Sequence, residues 1–300
     1  MEIIPVDDHI TAIDHNLLNI PGAGVSYVVR GDDVAIIETG TSLTVEHTLA
    51  GLDELGISRD AVGHIICTHI HMDHVGGAGY LAAVMPRASV YIHSMTAEHL
   101  VEPSKLMSSV RRAVGEIAWP LHGDIKPIER ERLRPAEDLC LDLGKDVLLE
   151  ALPTPGHSPD HVAFWDRRSG GLFIGDGASL THTRYQLDFP VTPPPAYDLE
   201  QHLNTVKMLR QQDIGRFYVT HAGPRDDVSH ILQLTEEMLR SLAEIAQDAL
   251  AKGQDEDTHA LAARWLPCAE DDDENRKFLA RNLGDLSVRG MLRYLKKRQS

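Results

Sequence analysis

The sequence predicts an α/β protein in which two mixed β-sheets pack face to face and helices lie outside them. Residues 9–38 alternate short apolar runs with turn residues, and residues 138–177 do the same, so each stretch indicates an antiparallel meander. Helically spaced apolar residues mark residues 42–56, which end at a glycine suited to terminate a helix. Sheets and helices combined in this way are typical of a layered α/β domain.

Residues 68–77 contain the densest group of metal-binding side chains in the chain. Within this stretch, Thr-His-Ile-His-Met-Asp-His-Val-Gly-Gly, His69, His71, Asp73 and His74 fall within six positions. Imidazole is the commonest metal ligand in proteins, and carboxylate oxygen is the next choice for zinc or iron. An apolar run precedes the group and a glycine-rich run follows it, which predicts a strand-to-helix loop. In extended backbone His69 and His71 point the same way, so both can bind one ion.

The pattern H-x-H-x-D-H followed by Gly-Gly resembles the signature of the metallo-beta-lactamase superfamily. In that family three further ligands come later, each after an apolar strand. This sequence has matches in the same order, at His157 in Thr-Pro-Gly-His, Asp176 in Gly-Asp-Gly and His221 in Thr-His-Ala-Gly. The resemblance covers roughly residues 10–225 and implies an αββα sandwich. Glu38 stands where the family usually has aspartate, and we expect it to brace the metal loop with its longer side chain.

The resemblance also implies two divalent metal ions, most simply zinc, with iron or manganese as alternatives. The first ion would be bound by His69, His71 and His157, and the second by Asp73, His74 and His221. Asp176 would bridge them. Such a pair supplies a metal-bound hydroxide at neutral pH and stabilises a developing oxyanion. We therefore expect hydrolysis of a small ester, thioester or lactone, with Asp73 orienting the nucleophile as the catalytic residue.

Two other functions stay open. The superfamily includes persulfide dioxygenases that use a single iron held by a subset of these ligands, and imidazole and carboxylate suit iron as well as zinc. A non-catalytic binding protein with the same fold is the other alternative. The complete set of ligands argues against it, because a decayed site is expected to lose at least one.

Three side chains are candidates for contacts with substrate. Residues 99–106, His-Leu-Val-Glu-Pro-Ser-Lys-Leu, resemble a subgroup with glyoxalase II-like cores, and we expect residues 102–105 to lie inside a helix. Lys105 would hold a substrate carboxylate, unless it is a solvated surface lysine. His161 would donate to the substrate oxyanion or serve as a ligand, unless it is bonded to backbone at a strand start. Tyr185 lies in the proline-rich and aromatic stretch 178–197, which predicts an irregular pocket wall.

The chain changes character at residue 227. Beyond it, apolar residues recur at steps of three and four, which predicts a long amphipathic helix and then shorter helices that include 274–282 and 286–297. We therefore expect a catalytic domain of residues 1–226 and a helical extension of residues 227–300. Glyoxalase II-like proteins commonly use such helices to shape the substrate pocket.

Charge and hydropathy exclude several classes of partner. The 300 residues include 29 basic and 45 acidic side chains, which give a formal net charge of −16, so DNA or RNA would be repelled. No apolar run approaches the ~20 residues that a membrane-spanning helix needs, and the N-terminus lacks the features of a signal peptide. We expect a small-molecule substrate, no nucleic acid, no membrane and a cytoplasmic location. The amphipathic C-terminal helices offer a seam for a homodimer.

Overall fold

The computed structural model describes residues 2–221, 223–266 and 273–299. The strands of these residues, in chain order, are β1 (Glu2–Pro5), β2 (Ile10–Asp14), β3 (Val25–Arg30), β4 (Val34–Ile37), β5 (Val62–Ile66), β6 (Ser89–Ile92), β7 (Leu133–Pro135), β8 (Cys140–Asp142), β9 (Leu148–Pro153), β10 (Val162–Asp166), β11 (Gly171–Phe173), β12 (Leu180–His182), β13 (Leu187–Phe189), β14 (Arg216–Val219) and β15 (Gly223–Arg225). The α-helices are α1 (Val45–Glu54), α2 (Met72–Val75), α3 (Ala78–Val84), α4 (Glu98–Val101), α5 (Ser104–Ala118), α6 (Leu199–Leu209), α7 (Val228–Lys252), α8 (Thr258–Trp265) and α9 (Glu274–Gln299).

Two compact units divide the chain, and the first contains both large sheets. This first unit comprises Met1–Pro153, Asp160–Gly175 and Ile214–Asp226. Its seven-stranded sheet runs from β1 to β7 in sequence order, antiparallel up to β4 and parallel from β4 to β7. Its six-stranded sheet has the order β15-β14-β11-β10-β9-β8, antiparallel except where β11 pairs with β14. Two mixed sheets with helices are the predicted fold class.

Alternate residues of the strands supply two cores. Tyr27 from the first sheet and Phe164, Phe173 and Tyr218 from the second belong to the core between the sheets. The ring centroids of Tyr27 and Phe173 lie 5.2 Å apart, and those of Phe173 and Tyr218 lie 4.5 Å apart. The other face of the first sheet packs on the helices α1 and α3. Because side chains alternate between the faces of a strand, one sheet can serve both cores.

The strand directions bring particular loops to one edge of this unit. β2 and β4 run the same way because each is antiparallel to β3, and β5, β6 and β7 are parallel to β4. The chain therefore leaves β2, β4, β5 and β6 at the same edge. The backbone of Val162, at the start of β10, donates to Thr68 O at 2.9 Å, and Val25 N donates to Thr220 O at 2.8 Å. These two hydrogen bonds tie the second sheet to the loops at that edge.

The second unit comprises Thr154–Pro159, Asp176–Asp213 and Asp227–Ser300. It contains the hairpin of β12 and β13 and the helices α6 to α9. The helix α7 buries residues spaced by three and four, and it is followed by Gly253, whose φ of 62° suits a glycine that ends a helix. The last segment of this unit begins at the predicted boundary, residue 227; the division into a catalytic domain and a helical extension stays a prediction. Among the described helices, none is long and apolar enough to cross a membrane.

The prediction that residues 102–105 lie inside a helix is confirmed for Ser104 and Lys105, which begin α5, and wrong for Glu102 and Pro103. The chain ends α4 at Val101 and begins α5 at Ser104, and Glu102 between them is extended, with φ of −130° and ψ of 91°. Proline causes this break, because its ring clashes with a helical conformation of the preceding residue and it has no backbone N–H to donate.

Two further expectations about local structure need correction. The stretch 178–197 is not wholly irregular, because it contains the antiparallel pair β12 and β13. The predicted helices 274–282 and 286–297 are one continuous helix, α9. Gly284 does not break it. A Cβ at this position would lie 3.2 Å from Leu266 Cδ1 and 3.3 Å from Ala262 Cβ, so the glycine permits close packing at the end of α8.

Candidate metal centre

Five histidine rings of the first unit lie against one another where the strands end. The ring centroid of His69 lies 4.5 Å from that of His71, 4.1 Å from that of His74 and 4.9 Å from that of His161. The ring of His74 in turn lies 5.3 Å from that of His221. All are buried except His71, which is half-buried. The loop after β5 thus brings its predicted ligands together with two histidines from distant parts of the sequence.

Asp73 completes a group of three possible ligands in this unit. Its Oδ2 lies 3.7 Å from His74 Nε2 and 3.7 Å from His221 Nε2. One ligand atom from each of the three residues lies within 4.8 Å of the other two. We name Asp73, His74 and His221 the ligand cluster. One carboxylate and two imidazoles are donors that suit zinc or iron.

The partners of the ring Nδ1 atoms indicate which nitrogen of each histidine carries the proton. His74 Nδ1 lies 3.0 Å from Glu38 Oε2, and His221 Nδ1 lies 2.8 Å from the carbonyl oxygen of Ala23. Carboxylate and carbonyl oxygens only accept hydrogen bonds, so both Nδ1 atoms donate. In the neutral ring Nε2 then keeps its lone pair. Histidines that bind metal are usually held in this way by an acceptor at the other nitrogen.

His69 is held through a threonine. Thr68 Oγ1 donates its only proton to Glu38 Oε1 at 2.6 Å, so it accepts from His69 Nδ1 at 2.9 Å. In the neutral ring the lone pair of His69 is then on Nε2, which lies 2.8 Å from His71 Nδ1. As predicted, Glu38 contacts the metal loop, and it does so at two points.

His157 and Asp176 belong to the second unit. His157 Nδ1 lies 2.9 Å from the carbonyl oxygen of Val191, which makes it the donor and leaves the lone pair on Nε2. That Nε2 lies 3.4 Å from Asp176 Oδ2, and both residues are buried. An imidazole lone pair beside a carboxylate in a buried setting is again a donor set that fits a metal ion. The His and Asp clusters of the described residues are compatible with metal binding.

Backbone geometry fixes the metal loop. Glu38 has a φ of 68°, a strained value for a residue with a side chain, and Thr39 Oγ1 beside it donates to His74 O at 2.7 Å. A Cβ on Gly77 would lie only 2.4 Å from Thr39 O, so the Gly-Gly pair lets the two loops approach. Asp160 Oδ2 accepts from Ile70 N and from Thr96 Oγ1, both at 2.9 Å. Asp160 was not predicted, although its place beside His161 in the sequence is a usable signal.

Two histidines near the ligands carry no motif and were also missed. Burial lowers the pKa of His15 to about 3, with His221 and His74 adding to the effect and Asp73 opposing it. In the second unit, burial lowers the pKa of His202 on α6 to about 4, and Asp176 is among the groups that oppose this. Each is therefore a neutral imidazole at neutral pH. Only a tertiary structure reveals their position beside the predicted ligands.

The predicted substrate contacts lie in different settings. Lys105 is exposed in the first turn of α5. His161 is buried beside His69, immediately before β10. Tyr185 is buried in the second unit, where its hydroxyl accepts from Asn275 Nδ2 at 3.4 Å. Their contacts with a substrate stay predictions.

Comparison with known proteins settles the family. The family model described as the metallo-beta-lactamase superfamily matches residues 19–221. The chain belongs to the metallo-beta-lactamase superfamily. Its fold is similar to the archaeal superfamily protein ST1585 from Sulfolobus tokodaii, with a TM-score of 0.69, 18% identity and coverage of 98% of this chain and 100% of that one.

Two relatives in sequence match about half of this chain. YobT of Bacillus subtilis (strain 168) is 30% identical over 154 residues, which is 51% of this chain and 60% of that protein. A hydroxyacylglutathione hydrolase of Synechococcus sp. (strain JA-3-3Ab) is 30% identical over 167 residues, which is 53% of this chain and 52% of that protein. The chain thus spans between half and two thirds of the length of these relatives.

Proposed function

We propose that this chain is a dinuclear metal-dependent hydrolase of a small ester, thioester or lactone. His69, His71 and His157 would hold one ion, and Asp73, His74 and His221 the other, with Asp176 bridging them. This assignment follows the order of the superfamily's ligands along the chain.

The observation that carries the proposal is the hydrogen bonding of Nδ1 in four of the predicted histidine ligands. His69, His74, His157 and His221 all have Nδ1 held by an acceptor, which leaves the Nε2 lone pair for a metal ion. The acceptors are a threonine hydroxyl, a carboxylate and two backbone carbonyls. Such support orients metal ligands in advance and increases their basicity.

The chain's own groups then have defined tasks in hydrolysis. Bound ions lower the pKa of water towards 7 and stabilise negative charge on the carbonyl oxygen. Asp73 is both a ligand and the group that orients the attacking water, because a carboxylate has two oxygens that accept protons or hydrogen bonds. Water adds to the carbonyl carbon, the bond to the leaving oxygen or sulfur breaks, and the proton ends on the leaving group. His161, buried beside His69, would hydrogen bond the developing oxyanion.

Thioesters are the first substrates to test. The Synechococcus relative is named for hydrolysis of such a compound, and it matches about half of this chain. We extend the substrate class to esters and lactones because the same attack on an acyl carbon serves all three. A small-molecule substrate, no nucleic acid or membrane partner, a homodimer and a cytoplasmic location complete the proposal.

The test is metal content followed by turnover. Elemental mass spectrometry on protein expressed without added metal should show about two ions per chain, and the same protein should hydrolyse a panel of thioesters and lactones. About one iron per chain with little zinc, together with oxygen consumption on a persulfide, would replace hydrolysis with the dioxygenase function. Two ions without turnover of any acyl compound would favour a binding protein.

A further inference from the structure

The acceptor for the ring of His157 lies on a short buried segment of the second unit. His157 Nδ1 donates to the carbonyl oxygen of Val191 at 2.9 Å. Val191 and the next residue, Thr192, follow β13 and are both buried. A carbonyl group orients an imidazole only if its own position is fixed. The contacts that hold residues 191–192 therefore also determine where the Nε2 lone pair of His157 points.

Ser287, in the middle of α9, holds this segment by two hydrogen bonds. Thr192 N donates to Ser287 Oγ at 3.3 Å, and Thr192 Oγ1 donates to Ser287 O at 2.6 Å. Thr192 and Ser287 are both 0% exposed, so water does not compete for these bonds. Ser287 Oγ donates its own proton to Leu283 O at 2.7 Å, one turn earlier in the helix. The hydroxyl of Ser287 is thereby fixed as an acceptor for Thr192.

Gly290, three residues later and on the same face of α9, lets the helix reach the segment. A Cβ at Gly290 would overlap the carbonyl oxygen of Thr192 and would lie 2.9 Å from the carbonyl carbon of Pro193. These are backbone atoms, which cannot move aside as the end of a flexible side chain can. Glycine inside a helix costs about 1 kcal/mol relative to alanine, and here it permits a close approach that alanine would prevent.

The helix α6 and the residue before it support a different part of His157. Asp198 N donates to Gly156 O at 2.9 Å, and Thr205 Oγ1 donates to Pro155 O at 2.6 Å. These bonds hold the main chain immediately before His157. The hydrogen bond to Val191 O acts on the ring itself. The two helices thus have separate roles, since α6 holds the backbone of this ligand and α9 holds the acceptor for its ring.

We propose that Ser287 and Gly290 are positioning residues for the metal ligand His157, acting through Thr192 and Val191. If the segment 191–192 shifts, the carbonyl oxygen that accepts the Nδ1 proton shifts with it, and the Nε2 lone pair turns away from the ion. The inference rests on the proposed metal centre, and it gives α9 a role that the ligand motifs do not contain. Because linkage is reciprocal, metal binding by His157 also stabilises the docking of α9.

The sharpest test is a pair of changes at Thr192. Valine resembles threonine in shape but lacks the hydroxyl, whereas serine keeps it. We would measure stoichiometry and affinity for zinc in the full chain by competition with a chromophoric chelator, without any substrate. Thr192→Val should bind one of the two ions about 10-fold more weakly, with the other ion unchanged. Thr192→Ser, which retains the donor to Ser287 O, should bind both ions as the natural protein does.

Two glycines of α9 offer a matched comparison on one helix. Gly290→Ala places a methyl group against the backbone of residues 192–193, so it should weaken the same ion by about 10- to 100-fold. Gly284→Ala is the control, because its Cβ would meet the side chains of Leu266 and Ala262 instead, at 3.2 and 3.3 Å. The control should leave the affinity for both ions unchanged.

Two further measurements separate positioning from a general effect on folding. Circular dichroism and urea unfolding of the metal-free proteins would show that each variant folds. The visible absorption spectrum of the cobalt(II)-loaded proteins reports the geometry of the ligands. That spectrum should change in Thr192→Val and Gly290→Ala, and it should stay the same in Thr192→Ser and Gly284→Ala.

The outcomes are distinct. If all four variants matched the natural protein in zinc affinity and cobalt spectrum, the role of α9 would be overturned and the proposed hydrolase would stay intact. Lower metal-free stability of Thr192→Val with unchanged zinc affinity would make the contact purely structural and would also overturn the inference. An equal loss of zinc in Gly290→Ala and Gly284→Ala would do the same. If the natural protein bound no ion, the proposed function would fail together with the inference.

Discussion

Two groups of aspartate and histidine in the first unit meet the same distance criterion for a metal site but differ in chemistry. One is the ligand cluster, Asp73, His74 and His221. The other, which we name the N-terminal cluster, consists of Asp7, Asp8 and His9. In each, one ligand atom per residue lies within 4.8 Å of the others. The distances between ligand atoms therefore do not distinguish the two clusters.

The hydrogen-bond partners of the histidine ring nitrogens distinguish the two clusters. His9 Nδ1 lies 2.9 Å from Asp8 Oδ1 and its Nε2 lies 2.7 Å from Asp166 Oδ2, so both ring nitrogens face a carboxylate oxygen at hydrogen-bond distance. The hydrogen bond from His9 lowers the pKa of the exposed Asp8 carboxyl. In the ligand cluster each histidine donates from Nδ1 to an oxygen acceptor, and its Nε2 lies 3.7 Å from Asp73 Oδ2. A metal-binding histidine thus needs an acceptor for the proton on one ring nitrogen, so that the other nitrogen can face the ion. A carboxylate near the ring is not sufficient.

The largest effect should come from Asp73 of the ligand cluster, with Asp7 of the N-terminal cluster as its matched control. Asp73→Ala should reduce kcat/KM by about 1,000-fold or more, because metal-supported charge stabilisation is worth several kcal/mol and about 1.4 kcal/mol is tenfold. Asp7→Ala, the matched change in the N-terminal cluster, should leave kcat/KM and metal content unchanged. Both are measured on a thioester with metal analysis of the same samples. Near-normal turnover in Asp73→Ala would rule out the two-ion mechanism.

A smaller effect should follow from the carboxylates behind the histidines. Glu38→Gln removes one of two acceptors for Thr68 and His74, so zinc affinity should fall about 10- to 100-fold. Asp166→Asn, which disturbs His9 instead, should cost about 1–3 kcal/mol of unfolding free energy without changing zinc affinity. Chelator competition and urea unfolding of the metal-free proteins measure the two quantities. An equal loss of zinc affinity in both variants would contradict the proposed difference between the two clusters.

The smallest effect should appear at an exposed lysine outside both clusters. Lys105→Ala should raise KM for a carboxylate-bearing substrate by about fivefold at most, with kcat unchanged, because an exposed ion pair contributes up to about 1 kcal/mol. The control is Lys145→Ala, at the hairpin where Lys145 Nζ donates to Gly31 O at 3.1 Å. Steady-state kinetics at two salt concentrations would show the effect shrinking at high salt. An unchanged KM would indicate that Lys105 is a solvated surface lysine that does not contact the substrate.

Much of the fold and the spacing of the ligands could be predicted from the sequence, because both are local. The apolar run before His69 became β5, and the meander of residues 9–38 became β2, β3 and β4, since alternation and turn residues act over a few positions. The helix break at Glu102 and the continuous α9 were missed. The break at Glu102 follows from Pro103, which disfavours a helical conformation of the residue before it. The continuity of α9 depends on the packing of Gly284 beside α8, which no local sequence pattern shows.

The order of residues along the chain shows which residue types follow which strands, and this order was enough to identify the superfamily and the order of its ligands. Tertiary structure decided which nitrogen of each histidine is available, because the acceptors come from far along the chain: Glu38 for His74 and Ala23 for His221. It also placed His15, which carries no motif, beside the ligand cluster. Donors and acceptors are paired by folding and not by spacing, so the chemistry of these rings exists only in the folded chain.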